Sequence, residues 1–231
     1  VIAYNALLSA LARAGAWQRA WAVVGAMRRV GVQPNVRSYN SLLSACEGAG
    51  EGRRAMEVLD RVEREAGLLG LVEEEEEDED EIEKSEIAIE NDPLAPPPRP
   101  SLPTPPPKKQ QQQKRAQPSR PSERGFYPTS ITYNTALAAV ARAGDLKAAR
   151  QVLKRAARAR CAPDAYTLSS FLRAIERSGS PQDLARCREE FARLVAAGAV
   201  PNAASYNALL SALARAGDGD GAREVLTFME N

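Results

Sequence analysis

Histidine is absent from all 231 residues. That excludes His-based acid–base catalysis, a Ser-His-Asp triad and any zinc site with a histidine ligand. Only three cysteines occur, Cys46, Cys161 and Cys187, and none forms a Cys-x-x-Cys pair. An odd, scattered set does not make a disulfide framework. It reads as small residues in or near a helical core, kept in a reducing compartment. No apolar run approaches the ~20 residues that cross a bilayer, so no membrane partner is expected. Acid pairs such as Glu189-Glu190 read as an exposed helix face. No catalytic residue, metal ligand or cofactor is expected, and the chain does not read as an enzyme.

Net charge is also nearly absent, at +1. The balance hides a division. Residues 71–124 carry 14 acidic and 8 basic side chains, and the remainder carries 16 and 23. One stretch is therefore acidic by six charges and the rest is basic by seven. A basic surface favours a polyanionic partner.

What is present is repetition. Twelve residues, Tyr4 to Gly15, reappear unchanged at Tyr206 to Gly217. Related copies start at Tyr39, Tyr133 and Leu168. Aligned positions Asn5, Asn40, Asn134, Ser169 and Asn207 are spaced 35, 94, 35 and 38 residues apart. A recurring 35-residue period marks a stacked repeat protein. The fold class expected is all-α: an α–α superhelix, or solenoid, of about five helix-turn-helix repeats.

Each repeat reads as two helices. In the first, Tyr4, Leu7, Leu8 and Leu11 recur at helical spacing, and Gly15 ends it. The second spans about residues 16–30, with Trp21, Val24 and Met27 turned inward. Gly31 and Pro34 stop it. Such a hairpin cannot bury its own apolar faces and needs neighbours on both sides. The second repeat has helices at about 38–48 and 52–66, and the third at about 132–142 and 146–160. The fourth carries three extra residues, near 178–183 or within a long second helix ending at about Ala197. The fifth ends with a helix at about 220–230.

The period breaks after the second repeat. Nine consecutive acids, Glu73 to Glu81, precede Pro96-Pro-Pro98, Pro105-Pro-Pro107 and Gln110 to Gln113. Low apolar content, like-charge repulsion and proline oppose a packed core. The division expected is repeats 1 and 2 in 1–70, a disordered acidic, Pro- and Gln-rich insertion in 71–124, and the remaining repeats in 125–231. The insertion reads as a solvated tether, or as a docking tail for protein partners that competes for the basic groove. The chain opens at Val1 in mid-pattern, which reads as a fragment of a longer protein with any targeting peptide upstream.

The run Tyr-Asn-x-Leu-Leu-x-Ala-x-Ala-Arg-Ala-Gly, then a second helix, then Pro-Asn or Pro-Asp, resembles the pentatricopeptide repeat. The match covers about three-quarters of the chain. Tetratricopeptide repeats are also helical hairpins, but their Trp/Leu-Gly-Tyr and Ala-Phe-Pro pattern is missing here. The resemblance implies sequence-specific binding of single-stranded RNA, one base to a repeat, on organellar transcripts in chloroplast or mitochondrion.

It also implies roles for residues. The fifth and last residues of a repeat together touch one base edge. The pairs are Asn5 with Asn35, Asn40 with Thr129, Asn134 with Asp164, and Ser169 with Asn202; Asn207 stands without its closing mate. The second residue packs between bases, which gives Ile2, Ile131 and Tyr166, with Arg37 and Ala204 departing from the usual type. The thirteenth faces phosphate, which gives Arg13, Arg142, Arg177 and Arg215, with Gly48 the exception. The chemistry agrees: Asn and Ser donate and accept, and a row of arginines suits a phosphate backbone. The rival reading is a protein-interaction scaffold of the tetratricopeptide type, using the same groove for a peptide.

Overall fold

A computed structural model describes residues 1–68 and 126–230. The expectations for residues 71–124 lie outside the described residues. The described chain forms eleven helices: α1 (Ile2–Arg13), α2 (Trp17–Arg29), α3 (Val36–Ala49), α4 (Gly52–Ala66), α5 (Ser130–Ala143), α6 (Leu146–Arg158), α7 (Ala165–Ser178), α8 (Pro181–Ala185), α9 (Cys187–Ala196), α10 (Ala203–Ala216) and α11 (Gly219–Glu230).

The first helices start two or three residues earlier than the periodicity predicts. The reason is the cap. Asn35, Thr129, Asp164 and Asn202, each the last residue of a repeat, have extended backbone and are the N-caps of α3, α5, α7 and α10. Asn35, Asp164 and Asn202 each accept from the backbone N–H three residues on. In all four the Ser or Thr at that position accepts the cap's own N–H. These reciprocal bonds satisfy donors that a helix start otherwise leaves orphaned. The same four helices end at glycines with left-handed backbone, Gly50, Gly144, Gly179 and Gly217.

The helices stack in two layers. α1, α3, α5, α7 and α10 pack in sequence as the inner layer, and the others lie on their outer side. α3, α5 and α7 are thus flanked by inner helices on both sides and covered by outer ones. That geometry buries more than one stripe. Leu8, Leu43, Leu137 and Leu172 are buried, and so are Ala45, Ala139, Ala174 and Ala212. The alanines sit at one register position, where a small side chain suits close approach between layers.

One outer-layer expectation is corrected. The second helix of the fourth repeat is not one long helix: it breaks at Arg186 between α8 and α9. Ser180 caps α8 through Asp183 N–H at 3.4 Å, and Pro181 occupies the first turn, where its missing N–H costs nothing. The three extra residues are absorbed there, away from the inner layer. Trp21 is half-buried and packs against the core as expected, with the Arg61 guanidinium 5.7 Å from its ring. Trp17 is covered the same way by Arg54, at 5.3 Å.

All three cysteines are free. Burial, helped by the Glu51 and Glu57 charges, pushes the Cys46 thiol up to about 12. Burial, helped by Asp218, pushes Cys187 up to about 11. Among the described residues no helix is long and apolar enough to cross a membrane.

Candidate nucleic-acid interface

The capping residues do a second job. Each sits where the N-terminal turn of one inner helix meets the first turns of the one before it. Asn35, capping α3, therefore lies against Asn5 on α1. Asn5 Nδ2 donates to Asn35 Oδ1 at 3.3 Å, and Ser38 Oγ donates to Asn5 Oδ1 at 2.6 Å. Asn35 Oδ1 also accepts from Ser38 N at 3.0 Å. The oxygens are thereby engaged, and the exposed Asn35 keeps its Nδ2 donors free.

The third repeat repeats this geometry with an acid. Asn134 Nδ2 donates to Asp164 Oδ2 at 2.9 Å, and Thr167 Oγ1 donates to Asn134 Oδ1 at 2.8 Å. Asp164 Oδ1 is held by Thr167 N at 2.9 Å. Oδ2 keeps a lone pair for another donor, and Asp164 is exposed.

The other two pairs are not joined. No hydrogen bond links Asn40 to Thr129, whose side chain is shorter and carries no amide. Asn40 Oδ1 is the only buried side-chain oxygen among the described residues without a partner. Leaving it so costs on the order of 1–3 kcal/mol. Ser169 Oγ turns back to the Tyr166 carbonyl at 3.1 Å, while Asn202 Oδ1 accepts from Ser205 N at 3.0 Å. A serine is too short to reach the cap. Asn207 is exposed on α10.

The packing positions stand free of the core. Ile2 is 88% exposed, Ile131 64% and Tyr166 48%. Arg37 and Ala204 are exposed as well. They occupy the first turn of each inner helix, beside the paired polar groups.

The arginines form a second row, eight residues and so about 12 Å further along each helix. Arg13, Arg142, Arg177 and Arg215 are all exposed. Not all are unengaged. Arg177 Nη1 donates to the Arg142 carbonyl at 2.8 Å, and Arg215 lies 3.8 Å from Glu176. At Gly48, where the row has its gap, a Cβ would sit 3.3 Å from Gly15 Cα and 3.6 Å from the Ala12 carbonyl oxygen. The first of these is a tight contact and the second an ordinary one, so α1 and α3 approach closely at that point.

Reading the sequence by period alone misses the hydroxyls that hold the caps, Ser38, Thr132, Thr167 and Ser205, of which Ser38 and Thr167 also bond Asn5 and Asn134. All four are buried. Their signal is Asn, Thr or Asp followed three residues later by Ser or Thr before an apolar run.

Family comparison agrees with this architecture. A model of the PPR repeat family matches residues 1–48, one of the pentatricopeptide repeat domain matches 122–177, and one of the PPR repeat matches 37–65 and 204–231. Together they span well over half of the chain. The chain belongs to the pentatricopeptide repeat family.

Solved structures of this family share the fold. The pentatricopeptide repeat protein PPR10 from maize superposes with a TM-score of 0.59 at 18% identity, over 98% of this chain. The chain spans about a quarter of that protein, 24%. The PPR domain of Arabidopsis thaliana protein-only RNase P 1, crystallised with tRNA, gives 0.55 at 17% identity. There 97% of this chain matches 88% of the other. No curated protein sequence matches the chain.

Proposed function

We propose that this chain binds single-stranded RNA by sequence, with one base read by each inner-helix pair. The observation that carries the reading is the Asn134–Asp164 pair. Two side chains 30 residues apart hydrogen-bond to each other at the edge of the inner layer. A third, Thr167, fixes both, and an acceptor is left unspent. Preorganised polar groups of that kind fit the edge of an unpaired base, which a single strand exposes and a duplex hides. The maize neighbour and the protein-only RNase P domain share the fold, and the second of these was crystallised with tRNA.

The free groups support an assignment of bases. Asp164 Oδ2 suits the ring N–H of uracil. The free Nδ2 donors of Asn35 suit the acceptors of a pyrimidine. By the family reading, Asn40 with Thr129 is also a pyrimidine reader. Ser169 with Asn202 suits adenine, which offers an amino donor and a ring acceptor. With the N-terminus toward the 5′ end, as the family binds, the order is pyrimidine, pyrimidine, U, A. By the same family reading the RNA is an organellar transcript.

The fourth position gives the test. Asn202 caps α10 in register, because the extra residues of that repeat are taken up between α8 and α9. Ser169→Asn with Asn202→Asp recreates the Asn134–Asp164 pair there. The double variant is expected to prefer U over A where the parent prefers A over U. A mispaired edge costs about 1–3 kcal/mol, so the reversal is roughly ten-fold or more. Two short RNAs differing at that base measure it. An unchanged preference in a folded double variant rejects the assignment.

A further inference from the structure

The inner layer is curved tightly enough for one repeat to touch another across its intervening neighbour. Tyr166 lies in the first turn of α7, and Glu47 lies near the end of α3. Between these helices runs α5, which packs on both. Yet the Tyr166 hydroxyl reaches Glu47 Oε1 at 3.5 Å, joining residues 119 apart in sequence. We propose that Tyr166 and Glu47 form a strap over α5 that closes the inner face of the free chain, and that a single RNA strand displaces it. This rests on the RNA-binding reading above.

Three observations bear on it. Tyr166 occupies the register of Ile2 and Ile131, which are exposed and touch nothing of this kind. Its ring is therefore tethered where its counterparts are free to pack against a base. Glu47 and Glu176 are the acids at the register of Ala12, Ala141 and Ala214, and of the two it is Glu47 that Tyr166 reaches. Glu47 sits beside Arg142, whose charge stabilises its carboxylate. Its negative charge thus competes with phosphate for an arginine of the second row. Partial burial is the largest influence on Glu47 and raises its pKa, as expected for a carboxylate covered by a side chain lying across it. The strap spans α5, which carries both Asn134 and Arg142, so a strand held by both of these meets it. Opening the strap releases the Tyr166 ring and Arg142 together, so base packing and phosphate binding become available in one step.

The experiment separates the strap from the RNA-binding reading. Tyr166→Phe keeps the ring and removes the hydroxyl. Binding of a short RNA of the order pyrimidine-pyrimidine-U-A is expected to tighten about three-fold, as for the loss of one competing hydrogen bond. In a chain carrying Glu47→Ala the same substitution is expected to change nothing, because its partner is gone. Weaker binding by Tyr166→Phe, or an equal gain in both backgrounds, overturns the proposal. A second readout needs no RNA. The carboxyl carbon resonance of Glu47 is expected to move in Tyr166→Phe and to stay in Tyr206→Phe. A resonance that ignores Tyr166→Phe overturns the strap whether or not RNA binds. A responding resonance with no binding to any RNA overturns displacement by RNA, together with the function proposed above.

Discussion

At the residue scale, one position closes a repeat, caps the next helix and presents a polar edge. Asn35 and Asp164 show why an amide or carboxylate serves there. Each has one oxygen held by the helix start, and each keeps a further group for a neighbour or a ligand. A less favourable residue closes α6. Arg160 has φ of 56°, the only non-glycine residue with positive φ among those described. It stands in the register of Gly31, whose φ is 74°. A Cβ in that conformation meets the neighbouring carbonyl. Arg160→Gly is expected to raise stability by about 0.5–1 kcal/mol, and Gly31→Ala to lower it by about 1 kcal/mol, both read from urea unfolding midpoints. Sequence alone marks Gly31 as a stop. It cannot show that Arg160 adopts the same backbone.

At the element scale, the outer helices are tied through tyrosines of the inner layer. Tyr39 accepts from Arg28 of α2 at 2.5 Å and donates to Glu65 of α4 at 2.7 Å. Arg28 and Glu65 also pair directly. One repeat later Tyr133 lies beside Glu63 of α4, and Arg155 of α6 bridges Glu63 at 2.6 Å and Asp60 at 2.7 Å. Periodicity predicts these tyrosines as packing between helices, and both rings are buried. The ionic partners come from outer helices whose charges look like ordinary surface. Glu63 is buried, so Glu63→Ala is expected to cost about 3 kcal/mol by leaving Arg155 underpaired in a dry site. Replacing both, Glu63→Met with Arg155→Met, is expected to recover most of that, because the desolvation cost disappears too. Thermal unfolding followed by circular dichroism distinguishes the two. A double variant as unstable as the single would mean that the pair contributes more than it costs.

At the scale of the whole molecule, the two rows of the inner layer divide the work proposed for them. Base readers cluster at helix starts and arginines at helix ends. Arg142→Gln with Arg177→Gln is expected to weaken binding of all RNAs alike while leaving base preference intact. The slope of log K against log salt is expected to flatten by about 0.7 for each phosphate of a single strand that is no longer neutralised. An unchanged slope would remove these arginines from the phosphate path. The Arg177 bond to the Arg142 carbonyl uses one of five guanidinium donors, so it does not close that path.

The sequence by itself determined the hairpin repeat, its helix ends and the register of the polar and basic rows. These follow from local rules: apolar spacing, a glycine where φ turns positive, a capping residue three before a hydroxyl. What surrounds each residue was decided by tertiary structure alone. The twelve identical residues of α1 and α10 show it. Leu8 is fully buried and Leu7 is 47% exposed, whereas their counterparts reverse: Leu209 is fully buried and Leu210 is half-buried. The helices are the same, but their packing partners differ: α1 packs on α3, and α10 on α7. Likewise the Asn–Asn and Asn–Asp bonds, the orphaned Asn40 oxygen and the Tyr166–Glu47 bond depend on how far one helix stands from the next. That distance is set by stacking of whole faces, so no local pattern encodes it.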